Sequence, residues 1–202
     1  MNLYRSTNWC KHLIAPVLIV LLGFLSCSRT GQEKVQISTS MGEIEVEIYP
    51  GLAPVTANNF LTLVEAGTYT NATFYRVVRM DNQPHNLMKI EVIQGGLFED
   101  EVIDKYTPIE HETSAETGIM HTNGVISMAR NEPGTASTEF FICIGDQPSL
   151  DFGGDRNSDG QGFAAFGKVT KGMEVVKAIQ ALSDNDQYLV DQVTIGEISL
   201  MQ

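Results

Sequence analysis

The chain has 202 residues, 43% of them hydrophobic, with 13 Lys and Arg against 25 Asp and Glu. A formal charge of −12 argues against nucleic acid as a partner, because phosphate contacts need clustered cations; the acid excess reads as solubility. This length suffices for one well-buried domain, and no internal repeat or second domain interrupts it.

The first segment reads as an export signal outside the fold. Arg5, Lys11 and His12 make a basic start, and Leu13 to Leu25 is an apolar run broken only by Pro16 and Gly23. The run is short for a membrane span and suits a signal-peptide core. It ends Phe24-Leu25-Ser26-Cys27 ahead of polar Ser28-Arg29-Thr30, which resembles a bacterial lipoprotein signal. Phe24 departs from the usual aliphatic residue there; an uncleaved anchor and an ordinary cleaved signal are the alternatives. The resemblance implies that residues 1–26 are removed, that Cys27 is acylated, and that 27–34 form a tether. The domain, 35–202, would then sit at the cell envelope of a bacterium, lipid-anchored to a membrane and facing the periplasm or exterior. Losing Arg5 and Lys11 would move the formal charge from −12 to −14. Cys10 falls in the signal, and Cys143 stands alone in an apolar run as a small buried hydrophobe, so no disulfide is expected.

Val35–Thr39 and Glu43–Tyr49 alternate apolar and polar residues about Met41-Gly42 and predict a β-hairpin. Ala53-Pro54-Val55-Thr56 opens a helix, with proline where its missing N–H costs nothing. Val55, Phe60, Leu61 and Val64 follow at helical spacing, and Gly67 ends the helix. Strands are predicted at 74–78, 89–93, 124–129, 140–144, 163–169 and 192–201, with Asn123-Gly124 as a hairpin signal. A second helix covers 173–182, with Val175, Val176, Ile179 and Leu182 on one side. Eight short strands and two helices predict a mainly β fold, a closed antiparallel barrel without edge strands.

Four of these segments carry the functional signal: Phe74-Tyr75-Arg76-Val77-Val78, Gln94-Gly95-Gly96, Ser127-Met128-Ala129-Arg130 and Glu139-Phe140-Phe141-Ile142, closed by Phe166-Gly167-Lys168-Val169. In this order they resemble the cyclophilin-type peptidyl-prolyl isomerases over about residues 35 to 200. The resemblance implies an eight-stranded antiparallel barrel with a helix capping each end, acting as a monomer on proline-containing polypeptides without cofactor or metal. It makes Arg76 and Gln94 the catalytic pair, Gln94 orienting Arg76. Phe141, Val92 and Leu150 would wall the proline pocket, and Ala129 with Asn131 would line the groove for the residues before proline. Glu139 and Phe163 would complete the substrate site.

Such chemistry needs no nucleophile. Amide resonance sets a barrier of about 20 kcal/mol, so X–Pro bonds turn over in tens of seconds or more. A catalyst holds the peptide on both sides of the bond and stabilises its twisted state. One fixed guanidinium does this by donating to the prolyl nitrogen as conjugation is lost.

Several positions depart from the family pattern. The stretch between Val78 and Gln94 is about ten residues longer than usual, which puts Glu91 where a pocket phenylalanine is expected, unless Leu87 or Met88 shifts in. Glu139 stands where glutamine is usual and would pair with Arg76, competing with substrate or fixing it. Ser149 replaces an aromatic that often closes the groove, and Phe163 a rim histidine or tyrosine. These changes motivate an alternative, a catalytically weak peptide-binding module or chaperone. Loop 79–89 reads either as a partner contact or as a hairpin extension.

Other signals fail. Asp155-Arg156-Asn157-Ser158-Asp159-Gly160 starts like a calcium loop, but Phe166 occupies the position that needs a bidentate glutamate. His111-Glu112 lacks the second ligand of a zinc-protease helix. His111, His121 and Glu116 read as surface or loop residues, and no Ser-His-Asp arrangement can be assigned.

Overall fold

Alternation along the first hairpin sets the barrel's inner wall. In the computed structural model, which describes Met1 and residues 31–201, β1 (Glu33–Thr39) and β2 (Gly42–Ile48) pair antiparallel, with Val35 opposite Val46 and Ile37 opposite Ile44. All four are fully buried. Gly42 takes φ +136 at the turn, where a side chain would be strained. Strand β1 begins at Glu33, so the last two residues of the expected tether already belong to the sheet. The apolar run read as a signal core and Cys27 lie outside the described residues.

The remaining strands are β3 (Thr73–Val78), β4 (Val92–Gly96), β5 (Val125–Met128), β6 (Phe140–Cys143), β7 (Ala164–Lys171), β8 (Asp184–Asn185) and β9 (Tyr188–Leu200). Their spatial order is β1-β2-β7-β5-β6-β4-β3-β9, and β1 pairs with β9 to close eight antiparallel strands into a barrel; β8 adds a two-residue rung on β9. The eight expected strands are present with shifted ends. Strand β4 starts at Val92, not Lys89, and β9 starts at Tyr188, not Gln192. Asn123-Gly124 forms a tight turn, Val125 N donating to Thr122 O at 3.0 Å, but the residues before it are irregular and no hairpin results.

Helices α1 (Pro54–Glu65) and α4 (Met173–Gln180) cap the barrel, as expected. Helix α1 turns Ala57, Phe60, Leu61 and Val64 inward, while Val55, expected on that face, is exposed. Ala53 offers α1 no capping side chain; the Glu112 carboxylate accepts from Val55 N and Thr56 N instead, at 3.0 and 2.7 Å, satisfying donors that a helix start leaves orphaned. Two single-turn helices, α2 (Asp100–Ile103) and α3 (Ser114–Thr117), were not expected, because four residues are too few to show a helical period. Glu116 is exposed on the surface, as expected, and with Thr113 it forms the capping box of α3.

Phe60 centres the core, with Tyr69, Phe140 and Phe166 around it at ring distances of 5.4, 5.7 and 5.0 Å. A smaller apolar cluster of Val78, Ile90, Val92, Phe141, Cys143 and Leu150 is separate from it. Adjacent residues divide between the two: Phe140 enters the core and Phe141 the smaller cluster, since successive strand side chains face opposite sides. Cys143 is fully buried, as expected, and burial pushes its thiol up.

Candidate active site

Register brings three of the expected residues side by side. Arg76 on β3 lies opposite Gln94 on β4, and Gln94 lies opposite Phe141 on β6. A β-bulge between Phe74 and Arg76 interrupts β3, and bulges of this kind re-aim a side chain. It turns two consecutive residues, Tyr75 and Arg76, into one cleft of about 1070 Å³. Val92, Gln94, Ala129, Asn131, Glu139, Phe141, Leu150 and Phe163 line the same cleft, so all nine expected site residues meet there.

The guanidinium is fixed on two sides. Arg76 Nη1 donates to Gln94 Oε1 at 2.9 Å. Nε and Nη2 both donate to Gln187 Oε1, at 3.2 and 2.5 Å. A guanidinium has five N–H groups, so one on each terminal nitrogen remains without a partner among the described residues.

Glu139 does not pair with Arg76 as expected. Its Oε2 accepts from Tyr75 Oη at 2.6 Å, and its Oε1 from Leu97 N at 2.6 Å and Thr138 Oγ1 at 3.3 Å. Gln94 Nε2 donates to the same Tyr75 oxygen at 2.6 Å, so Tyr75 separates the carboxylate from the Arg76–Gln94 pair. Burial pushes the Glu139 carboxyl up, against the pull of these hydrogen bonds. Gly96, at φ +148, makes room for it: a Cβ there would collide with the Glu139 carboxylate. The carboxylate therefore orients Tyr75 and Gln94 and leaves the guanidinium open to a ligand.

The apolar side of the cleft is also built differently from expectation. Ile90 fills the place considered for Glu91, Leu87 or Met88: it is buried against Val92, Phe141 and Leu150, while Leu87 is 99% exposed. Phe163 meets the Phe141 ring edge-on at 5.3 Å. Arg130 stacks over Phe163 at 5.1 Å and is held by the Asp159 carboxylate at 2.9 Å on each oxygen. The loop that starts like a calcium site thus contributes a carboxylate to an arginine, which holds Asp159 below the usual carboxylate range.

His121 lies in the loop between α3 and β5, in keeping with its reading as a surface or loop residue, but it is buried. Its Nδ1 lies 2.8 Å from Asp151 Oδ1 and its Nε2 2.9 Å from Ser127 Oγ. This is a Ser-His-Asp row that sequence spacing did not reveal. Ser127 is fully buried, so no substrate reaches its hydroxyl. The row ties β5 to the 3₁₀ turn Pro148–Leu150 behind Phe141, whose ring stacks on His121 at 6.1 Å.

Sequence reasoning also missed Gln187 and Arg156. Arg156 Nη1 donates to Met88 O at 2.6 Å and Gln83 Oε1 at 3.1 Å. Burial and repulsion from Arg76 both lower its pKa. Gln187 lies in no recognisable block and Arg156 only in the rejected calcium-like segment, and both depend on loops folding over from distant sequence.

A closed antiparallel barrel with a fixed guanidinium beside an apolar hollow on its wall defines the barrel-type prolyl isomerases. Residues 34–200 match the family model described as cyclophilin type peptidyl-prolyl cis-trans isomerase/CLD, and the chain belongs to that family. It is 36% identical to a peptidyl-prolyl cis-trans isomerase of Acinetobacter baylyi, over 83% of this chain and 82% of that one. It is 30% identical to peptidyl-prolyl cis-trans isomerase B of Escherichia coli, over 81% and 99%. A cyclophilin type isomerase of Cryptosporidium parvum shares the fold at a TM-score of 0.67 and 22% identity, covering 85% of this chain and 99% of that one. The chain is a peptidyl-prolyl cis-trans isomerase.

Proposed function

We propose that Arg76 is the residue that turns the bond, and that exported polypeptides carrying X–Pro are its substrates. The observation that carries this is the guanidinium held by two glutamine oxygens with one N–H on each terminal nitrogen unpartnered among the described residues, beside the hollow formed by Phe141, Val92, Leu150 and Ile90. The proline ring enters that hollow, and Ala129 and Asn131 flank the residues before it. As the amide twists, the nitrogen lone pair leaves conjugation with the carbonyl and accepts from Arg76. The gain is larger in the twisted state than in the planar one, which is what accelerates rotation. Arg76→Ala is expected to lower kcat/KM for a short X–Pro peptide on the order of a hundredfold or more with melting unchanged. A variant as fast as the wild type would remove Arg76 from the mechanism.

We also propose that Cys27 carries lipid and that the monomeric domain works at a bacterial membrane, facing the periplasm or exterior. The basic start, apolar run and Ser26-Cys27 junction support it, and stable anchoring takes two or more acyl chains. Labelled palmitate should enter the wild type and not Cys27→Ser, which should leave the membrane fraction; equal labelling of both would overturn it.

A further inference from the structure

Loop 79–89 contacts the arginine site from behind. Arg79 N donates to Asn82 Oδ1 at 2.8 Å, and the Asn82 amide donates to Val77 O and Asp184 Oδ2, each at 3.1 Å. The Arg79 guanidinium pairs with Asp184. Asp184 also accepts from Gln187 N at 2.9 Å. At the end of this chain, Gln187 Nε2 donates to Asn82 O at 3.1 Å while its Oε1 takes both Arg76 donors. One amide thus faces the loop with its nitrogen and Arg76 with its oxygen.

The backbone under Gln187 points the same way. Asp186 and Gln187 take φ +51 and +75 in the two-residue turn between Asn185 and Tyr188, which pair across it. Such turns favour Asn-Gly, because a side chain at positive φ is strained. The strained residue here is the one that holds the arginine. Its carbonyl also accepts from Val77 N at 2.8 Å, so backbone and side chain both tie the turn to β3.

We propose that Gln187 is a positioning residue for Arg76 and that Asn82, through Gln187, lets loop 79–89 set the arginine's orientation. This rests on the role given to Arg76 above. The loop tunes the rate without touching the peptide: a shift of the Asn82 carbonyl moves Gln187, and Gln187 swings the two free N–H groups relative to the proline hollow.

The test uses the full chain, kept in solution with mild detergent, and an X–Pro tetrapeptide. Gln187→Ala should lower kcat about tenfold, as loosened catalytic geometry does, with KM changed less than about twofold. Gln187→Gly should lose as much while keeping its melting temperature, because glycine suits that turn. Asn82→Ala should lower kcat by a smaller factor, and the double variant should be no slower than Gln187→Ala alone. Independently of turnover, the Arg76 Nε–H resonance should shift and exchange faster with water in Gln187→Gly. Wild-type turnover with Gln187 variants unaffected, an unmoved Arg76 resonance, or additive losses in the double variant would overturn this inference alone. A wild-type chain without turnover would overturn the isomerase reading and this inference with it.

Discussion

Tyr75 is the residue on which two halves of the cleft turn. Its hydroxyl donates to the Glu139 carboxylate and accepts from Gln94, and burial with the nearby Glu139 charge pushes its own pKa up. Glu139 is raised from 4.5 by burial, and the Tyr75 hydrogen bond opposes that rise. A raised carboxyl contributes stability that is fully present below the unfolded value and is lost as pH rises through the folded one. Tyr75→Phe removes the opposing bond and raises Glu139 further. The variant should therefore lose little stability below pH 4.5 and about 2 kcal/mol at neutral pH. Chemical unfolding at the two pH values measures it, and an equal loss at both would show that Glu139 does not carry the effect. Arg76 and Gln94 were legible here because they sit inside short blocks with a strong pattern. The partner of Glu139 was not. Sequence places a carboxylate near a guanidinium, but a bulge of one residue decides which side chain meets it.

At the scale of elements, strand β6 separates folding from binding within two residues. Phe140 packs edge-on against Phe60, Tyr69 and Phe74 inside the barrel, while Phe141 lines the cleft. Phe140→Ala should cost about 3–5 kcal/mol and leave KM of the remaining folded protein unchanged. Phe141→Ala should cost less in stability and raise KM. Paired denaturation and kinetics test this, and a KM effect from Phe140 would contradict the division. Strands and long helices were readable because periods of two and 3.6 survive in the sequence. Loop 79–89 has no period, so neither Ile90 as a pocket residue nor the contact of Asn82 with Gln187 could be seen. The Arg76–Gln187 bonds join residues 111 apart, and no local pattern encodes such a distance.

For the whole molecule, the acid excess reaches the cleft. Glu99, Asp100, Glu101 and Asp104, consecutive or nearly so about α2, line it together with Arg76, Arg130 and Arg156. With a net charge of −12 behind them, the carboxylates should draw basic peptides and repel acidic ones. An X–Pro peptide flanked by Lys should show a kcat/KM roughly threefold above its Glu-flanked counterpart at low salt, with the difference shrinking toward 1 M, where screening is nearly complete. Equal values at low salt would mean that the charges do not act on the encounter. The sign of the net charge was readable from composition; which carboxylates face the cleft was not, because single-turn α2 leaves no period to follow.

The seam between β1 and β9 carries a further consequence. Val35 pairs with Leu200, and Met201 N donates to Lys34 O at 2.8 Å. Strand β1 therefore pairs early with β2 but waits for β9, and the ring stays open at this seam until residue 200 has appeared. Contacts this far apart in sequence form slowly, and open strand edges invite other chains. A nascent copy keeps this zip unfastened until β9 has been made, so the molecule that turns prolyl bonds in others has a most exposed moment of its own while the sheet is still open.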